Sequence, residues 1–415
     1  MASQKETVIY VTRDIERALG MQPNSHYHIV SNRTIYGEKT EKLYPGCVTL
    51  IDDGSDESAG TGDLMSHPAT AELFAKIAQA DNAKPYLLIF KNTARIEPIA
   101  RAHNWTLINP PAATSEKIEN KISQVMWLAE LERLLPPHRI EFMKNVRWDG
   151  KPFILQWAHG HTGGGTLLID SSQALEDIRA KFPDRRCRVT TYIEGPSFTM
   201  NVVVAPEKVL PSAISYQITG LPPFTDSRFA TIGNDWGLAA KILSPEDKQH
   251  ITDMAMEIGA RMQKEYWRGL FGIDVIKETA TGKIYLIEIN ARQPASTTFE
   301  SRLQEARRAK GATGMTTFEA HLAALLGHPL PQPLIEVADG AQIIQRVTKD
   351  IRSIASDAIG TLELDGFTAI PYENTDDNSD LLRIQSDHAV MQNHGELNEA
   401  GQSIAFCLQQ KATKP

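Results

Sequence analysis

Short apolar runs alternate with stretches of helical period over the first hundred residues. TVIYVT, YHIVS, CVTLIDD, YLLIF and WTLIN are rich in β-branched and aromatic residues and read as strands. Pro68 to Ala80 and Thr93 to His103 read as helices. This alternation predicts a small parallel α/β unit over residues 1–112. No GxGxxG follows its first strand, so a dinucleotide site there is unsupported. The Pro-rich NPPAATSEK breaks the pattern. Ser115 is placed to cap a helix that carries Lys121 and sets Ile118, Ile122, Val125 and Ala129 on one face. KPFILQW then reads as a strand, AHGHTGGG as a Gly-rich loop, TLLID as the returning strand, and Ser171 or Ser172 as the start of a helix to about Lys181. With the strand CRVTTYIEG these form an α+β unit over residues 113–195.

A second unit spans residues 196–330. It opens with the strand FTMNVVVAP. Gln217 to Gly237, with its prolines and glycines, reads as a long ordered loop, of the kind that often serves as a lid. Ser244-Pro245-Glu246-Asp247 is a helix start: cap, proline at the first position, acids in the first turn. LFGIDVIKE and KIYLIEIN flank TATG and predict a hairpin, and a helix is expected around Thr316 to Leu326. A strand-rich segment, 331–415, completes the second unit or forms a subdomain.

That hairpin carries the first chemical signal. A turn centred near Thr281 sets Asp274 opposite Glu288, with Cβ atoms roughly 4.5–5.5 Å apart. Asn290 shares the face of Glu288, and Arg292 follows two positions later. Like charges directly opposed are destabilising unless something neutralises them. Two carboxylates and an amide oxygen without His or Cys suit Mg²⁺ or Mn²⁺. Arg292 can hold a phosphate or carboxylate through both its forks. The glycines Gly160, Gly163, Gly164 and Gly165 allow backbone N–H groups to approach phosphates, although no GKS or GKT follows.

Composition narrows the classes. The 415 residues are 41% apolar and 23% charged with a net charge of -8, so no basic footprint for nucleic acid exists. No apolar run reaches the roughly 18 residues of a membrane span, and the N-terminus lacks a signal-peptide core. Three cysteines without metal spacing read as reduced thiols in a cytoplasm. The tryptophans Trp127, Trp148, Trp157, Trp236 and Trp267 read as packing residues.

The order of these signals resembles the ATP-grasp superfamily over roughly Trp105 to Gly327. The segment FGIDVIKETATGKIYLIEINAR is its most specific match, and VTTYIEGPSFTMNVVV matches the join between two ATP-gripping lobes. The resemblance implies α/β and α+β architecture: a Rossmann-like N-terminal domain, then a two-lobed ATP-grasp fold. It implies that His161, Thr162, Gly163, Gly164 and Gly165 cover the phosphates. It implies that Thr191, Tyr192 and Ile193 line the adenine and that Glu194 meets the ribose. It assigns the metal to Asp274, Glu288 and Asn290, and makes Lys121 and Arg292 the catalytic cations, Lys121 also as an ATP contact. One position departs from the pattern. The strand before the Gly loop usually carries a lysine, and Gln156 stands there, with Lys144, Lys151 or His159 available to compensate.

What the resemblance implies is an enzyme of the carboxylate–amine ligase type. ATP and Mg²⁺ (or Mn²⁺) activate a carboxylate as an acylphosphate, ADP leaves, and an amine completes an amide. Arg228, Arg292 and Arg302 are the expected substrate contacts, and a homodimer is compatible. A biotin-carboxylase-like enzyme and a non-catalytic nucleotide-binding protein are the alternatives. No MKM carrier motif accompanies the first.

Overall fold

A computed structural model describes residues 5–52, 54, 58–80, 83–158 and 165–413. The N-terminal unit is built on β1 (Lys5–Val11), β2 (Tyr27–Asn32) and β3 (Val48–Ile51), with α1 (Ile35–Leu43) between the last two. Next come α2 (Thr61–Ser66), α3 (Pro68–Gln79), β4 (Ala83–Ile89), α4 (Ile96–Ala102) and the short β5 (Thr106–Leu107). All pairs in this sheet are parallel, in the order β3-β2-β1-β4-β5. Its strands are aliphatic on both sides, as a sheet covered by helices requires. Ile9, Val11 and Leu87 pack towards α2 and α3, while Val8, Tyr10 and Leu88 pack towards Phe318 and Leu322 of the second unit.

The single helix expected from Ser115 onward is two: α5 (Ala112–Glu119) and α6 (Ser123–Leu128). Asn120 makes the break. Its Oδ1 accepts from the N–H groups of Ile122 and Ser123 and so restarts the helix. Lys121 therefore sits in a turn, where its own N–H donates to Ala158 O at 3.1 Å.

A four-stranded antiparallel sheet follows, made of β6 (His138–Phe142), β7 (Phe153–Trp157), β8 (Thr166–Ile169) and β9 (Arg186–Thr191) in the order β6-β9-β7-β8. The helix α7 (Ser172–Lys181) covers one face, capped by Ser171 Oγ. Leu155, Trp157, Cys187 and Val189 point to that covered core. The alternate residues Ile154, Gln156, Arg188 and Thr190 are left on the other face.

An eight-stranded sheet forms the rest of the molecule. Its strands in chain order are β10 (Ser197–Val204), β11 (Val209–Thr219), β12 (Thr231–Asp235), β13 (Gly269–Lys277), β14 (Ile284–Asn290) and β15 (Ala341–Arg346). A short β16 (Ser353–Ile354) pairs with Ala412–Thr413 outside that sheet, and β17 (Thr368–Pro371) and β18 (Asp380–Ser386) complete it. The order is β14-β13-β10-β11-β12-β15-β18-β17. The C-terminal segment is thus part of the same sheet. Gln217 to Gly237 is not one long loop, because β11 and β12 pair antiparallel and a helix, α8 (Trp236–Ile242), begins at its end. Only residues 220–230 remain as a connection.

Behind the sheet runs α9 (Pro245–Lys264), started by a reciprocal Ser244–Asp247 cap. Two further helices, α10 (Thr297–Ala309) and α11 (Thr317–Leu326), follow β14, and α12 (Ser356–Leu364) and α13 (Glu399–Lys411) cover the far end. Trp127, Trp157, Trp236 and Trp267 are all buried. Between β9 and β10 the chain passes Gly195, where a Cβ would lie 1.9 Å from Lys277 O, so only glycine fits this crossing between the two sheets.

Candidate active site

The uncovered faces of the two antiparallel sheets enclose a cleft of about 370 Å³. Its acidic wall is the β13–β14 hairpin. Asp274 pairs with Glu288 and Gly272 with Asn290. A bulge after Asp274 pairs Val275 with Leu286 instead of Ile287. Ile287, next to Glu288, is thereby turned into the cleft lining.

The two carboxylates live in different environments. Asp274 is 8% exposed. Thr199 Oγ1 donates to its Oδ1 at 2.7 Å, and Asn290 Nδ2 donates to its Oδ2 at 3.0 Å. Gln217 Nε2 donates to Thr199 Oγ1 at 2.6 Å, which commits the hydroxyl proton to Asp274. Burial, and then the Glu288 charge, push the Asp274 carboxyl up to about 6. Glu288 keeps 34% of its side chain open. Lys121 Nζ donates to Glu288 Oε1 at 2.7 Å. Burial works to raise this carboxyl, yet Lys121, Arg292 and Arg188 together hold it below the ordinary glutamate range. A buried Asp that ionises reluctantly beside an ionised Glu is the state expected of a dication's ligands in the absence of the ion. The donor set fits a hard divalent metal. Among the described residues no cluster of three His, Cys, Asp or Glu side chains competes as a metal site.

Arg188 is the residue that sequence reasoning missed. It is 3% exposed and stands directly beside Gln156 across the β7–β9 pair. Its Nε and Nη2 both donate to Gln156 Oε1, at 2.8 and 2.6 Å, and Nη2 also reaches Ile287 O at 3.3 Å. Burial pushes it down to about 10, with Glu288 pulling the other way. A buried cation thus stands one strand over from position 156. The signal was available: in RCRVTT the residues Cys187 and Val189 belong to the core, so Arg188 must face opposite. Lys144 is spent on Asp184 at 2.8 Å, and neither it nor Lys151 lines the cleft.

Other predicted residues divide. Thr191, Tyr192 and Ile193 line the cleft, and Glu194 does not. His161, Thr162, Gly163 and Gly164, with His159 and Gly160, lie outside the described residues. Gly165 is described, and its carbonyl accepts from Trp157 N at 3.0 Å. Arg292 lines the cleft but is ion-paired with Glu119, which also holds Lys91. Arg228 lies outside, 3.3 Å from Tyr192 Oη. Arg302 also lies outside the cleft. It joins Gln385 Oε1 at 3.0 Å to Tyr36 Oη at 3.1 Å, across the seam between the N-terminal unit and the large sheet.

Residues 118–296 match the family model of the ATP-grasp domain. The chain carries an ATP-grasp domain. Solved structures agree in fold across the whole chain. A carboxyaminoimidazole ribonucleotide synthase from Aspergillus clavatus, complexed with ATP, superposes with a TM-score of 0.64 at 13% identity, covering 98% of this chain and 99% of that one. An L-amino acid ligase from Bacillus licheniformis gives 0.62 at 13% identity over 100% of both chains. An N5-carboxyaminoimidazole synthetase from Staphylococcus aureus with ADP gives 0.63 at 12%, covering 98% of both chains. No curated protein sequence matches. At these identities the likeness is one of fold, and it extends the ATP-grasp architecture to the parallel N-terminal sheet and the C-terminal strands. The expected fold class, α/β followed by a two-lobed ATP-grasp, is the one found.

Proposed function

We propose that the protein is an ATP-dependent, ADP-forming ligase that activates a carboxylate by phosphoryl transfer and joins it to an amine. The observation that carries this is the opposed pair Asp274 and Glu288, open to the cleft of an ATP-grasp domain and ringed by Lys121, Arg188 and Arg292. Asp274, Glu288 and Asn290 would hold Mg²⁺ or Mn²⁺, which when bound neutralises the phosphate charge. Lys121 and Arg188 are two buried cations lining the cleft, and on this reading they face the nucleotide phosphates. Thr191, Tyr192 and Ile193 line the wall on which the adenine would lie, with Glu194 just beyond it.

The substrate carboxylate oxygen attacks the γ-phosphorus, the bond to the β–γ bridging oxygen breaks, and ADP departs with that electron pair. The amine then attacks the acyl carbon, phosphate leaves, and the amide remains. Positioning and charge neutralisation carry these steps, and the chain supplies cations and dipoles for them in place of a nucleophile. Arg292 is the expected clamp for the transferred group, with Glu119 fixing its orientation. On this reading the protein works in the cytoplasm on small carboxylates and amines, without nucleic acid or membrane, as a monomer or homodimer. Among the described residues no helix is long and apolar enough to cross a membrane, and no disulfide joins the cysteines.

The test is ADP release from Mg–ATP across pools of amino acids, other small carboxylates including bicarbonate, and amines, with mass spectrometry of the products. ADP release dependent on one acid–amine pair, with a product equal in mass to the pair less water, supports the ligase. Binding of ATP with no release from any pool counts against it.

A further inference from the structure

One donor to the acid hairpin comes from outside it. On β10 the residues Phe198, Met200 and Val202 point into the core, so the alternate residue Thr199 lines the cleft. It stands directly across from Asp274 on β13. Thr199 and, one strand further over, Gln217 of β11 are both buried. A valine at position 199 would have much the same shape and no hydroxyl to satisfy. A buried hydroxyl is costly unless it is hydrogen-bonded, and this one is bonded on both its donor and its acceptor side.

The order of the strands gives those bonds a direction. β13 lies between β14 and β10, and the Asp274 carboxylate spans that order. Its Oδ1 accepts from Thr199 Oγ1 at 2.7 Å on the β10 side, and its Oδ2 accepts from Asn290 Nδ2 at 3.0 Å on the β14 side. The other two ligands expected for the metal, Glu288 and Asn290, both belong to β14. One oxygen of Asp274 is therefore turned towards them, and the other is turned away and already engaged. Chelation of one ion by both oxygens would require Thr199 to release Oδ1. Gln217 opposes that release. Its Nε2 occupies the acceptor side of the Thr199 hydroxyl at 2.6 Å and leaves the proton aimed at Asp274. Ca²⁺ accepts about six to eight oxygens and takes carboxylates through both oxygens readily, whereas Mg²⁺ demands a near-octahedral shell rich in water. Mn²⁺ is served by the same carboxylate, carbonyl and water ligands in octahedral geometry.

We propose that Thr199, oriented by Gln217, is a positioning residue that restricts Asp274 to a single oxygen and so makes the hairpin select Mg²⁺ or Mn²⁺ over Ca²⁺. Thr199 brings no charge, so its contribution is to discrimination between ions and not to their general attraction. The inference rests on the metal ligands of the ligase proposed above, but its test needs neither ATP nor turnover.

Mn²⁺ binding to the full chain is measured from the electron paramagnetic resonance signal of the free ion, and Ca²⁺ binding by displacement of bound Mn²⁺. Glu288→Gln identifies the hairpin site, and Mn²⁺ binding there should fall at least about tenfold. Thr199→Val should raise the ratio of Ca²⁺ to Mn²⁺ affinity at least about fivefold. Thr199→Ser, which keeps the hydroxyl, should hold that ratio within about twofold of the wild type. Gln217→Met, which leaves the hydroxyl but frees its proton, should shift the ratio in the same direction by less, and it stands in if the valine variant does not fold. A merely structural role would weaken both ions by the same factor. That result overturns the proposal, as does an unchanged ratio in the valine and methionine variants, a serine variant that behaves like valine, or Mn²⁺ binding indifferent to Glu288→Gln. An unchanged ratio in a protein that releases ADP removes the role of Thr199 alone. Selectivity that follows Thr199 in a protein that never releases ADP retires the ligase and leaves the role of Thr199 standing.

Discussion

Asp274→Asn should make the metal-free protein more stable while abolishing turnover. Asp274 faces Glu288 directly, and its carboxyl is raised from an ordinary 3.8 to about 6. That displacement corresponds to roughly 3 kcal/mol, at about 1.4 kcal/mol per tenfold. A carboxyl whose native value is raised contributes stability fully present below about pH 3.8 and lost as the pH climbs through about 6. At pH 8 the wild type has lost all of it. Asparagine carries no charge, and its Oδ1 can still accept from Thr199. Asn290 must turn its amide to accept from the new Nδ2, and the loss of two charge-assisted bonds costs about 1 kcal/mol. The expected net gain is about 1–3 kcal/mol at pH 8, or several degrees of melting temperature at about 2–4 °C per kcal/mol, and little at pH 4. Glu288→Gln should act with the opposite sign, because it leaves Lys121, itself 4% exposed, without its carboxylate. The assay is thermal unfolding in chelator across pH 4 to 8 for both variants, followed by ADP release. A destabilised Asp274→Asn at pH 8, or a stability difference that does not grow between pH 4 and 7, would refute the reasoning.

Arg188→Gln should raise the KM for ATP at least about tenfold, as expected for a buried charged donor, and the exchange Gln156→Lys with Arg188→Gln should recover a substantial part, since the two positions are paired neighbours. No recovery in the double variant would deny that the charge has simply changed strand. Glu300, raised to about 7 by burial, contributes stability present below about 4.5 and lost as the pH rises through 7. Glu300→Gln should therefore flatten the fall in melting temperature between pH 6 and 8, and an unchanged slope would count against it. Gly220 has φ +62 and a Cβ there would sit 2.1 Å from Arg228 O, so Gly220→Ala should destabilise the 220–230 connection by about 1 kcal/mol or more, read as faster proteolysis of that segment.

Much of the site was legible because two of its features are local. Strand alternation and a turn near Thr281 put the two acids on facing strands of one hairpin, but the pairs nearest the turn, Ile276 with Tyr285 and Lys277 with Ile284, would by themselves set Asp274 against Ile287, and it is the bulge after Asp274 that makes its partner Glu288. Lys121 was legible as a residue but not as a geometry. Asn120 breaks its helix, and only the folded chain brings its ammonium to Glu288, 167 positions away. Arg228 and Arg302 show the converse: arginine in a promising segment is not arginine in the cleft.

By itself, then, the sequence determined most of the succession of strands and helices, the parallel character of the first sheet, and the presence of two acids on facing strands of one hairpin. Each follows from side-chain period, capping and turn chemistry over a few residues. Tertiary structure alone decided which cations face those acids and which are neutralised elsewhere. It also decided that a buried Arg188 stands against Gln156, and that Arg17 reaches the cleft from the first unit. Charge acts through space, and the distances that set its effect are fixed by the packing of segments far apart in the chain.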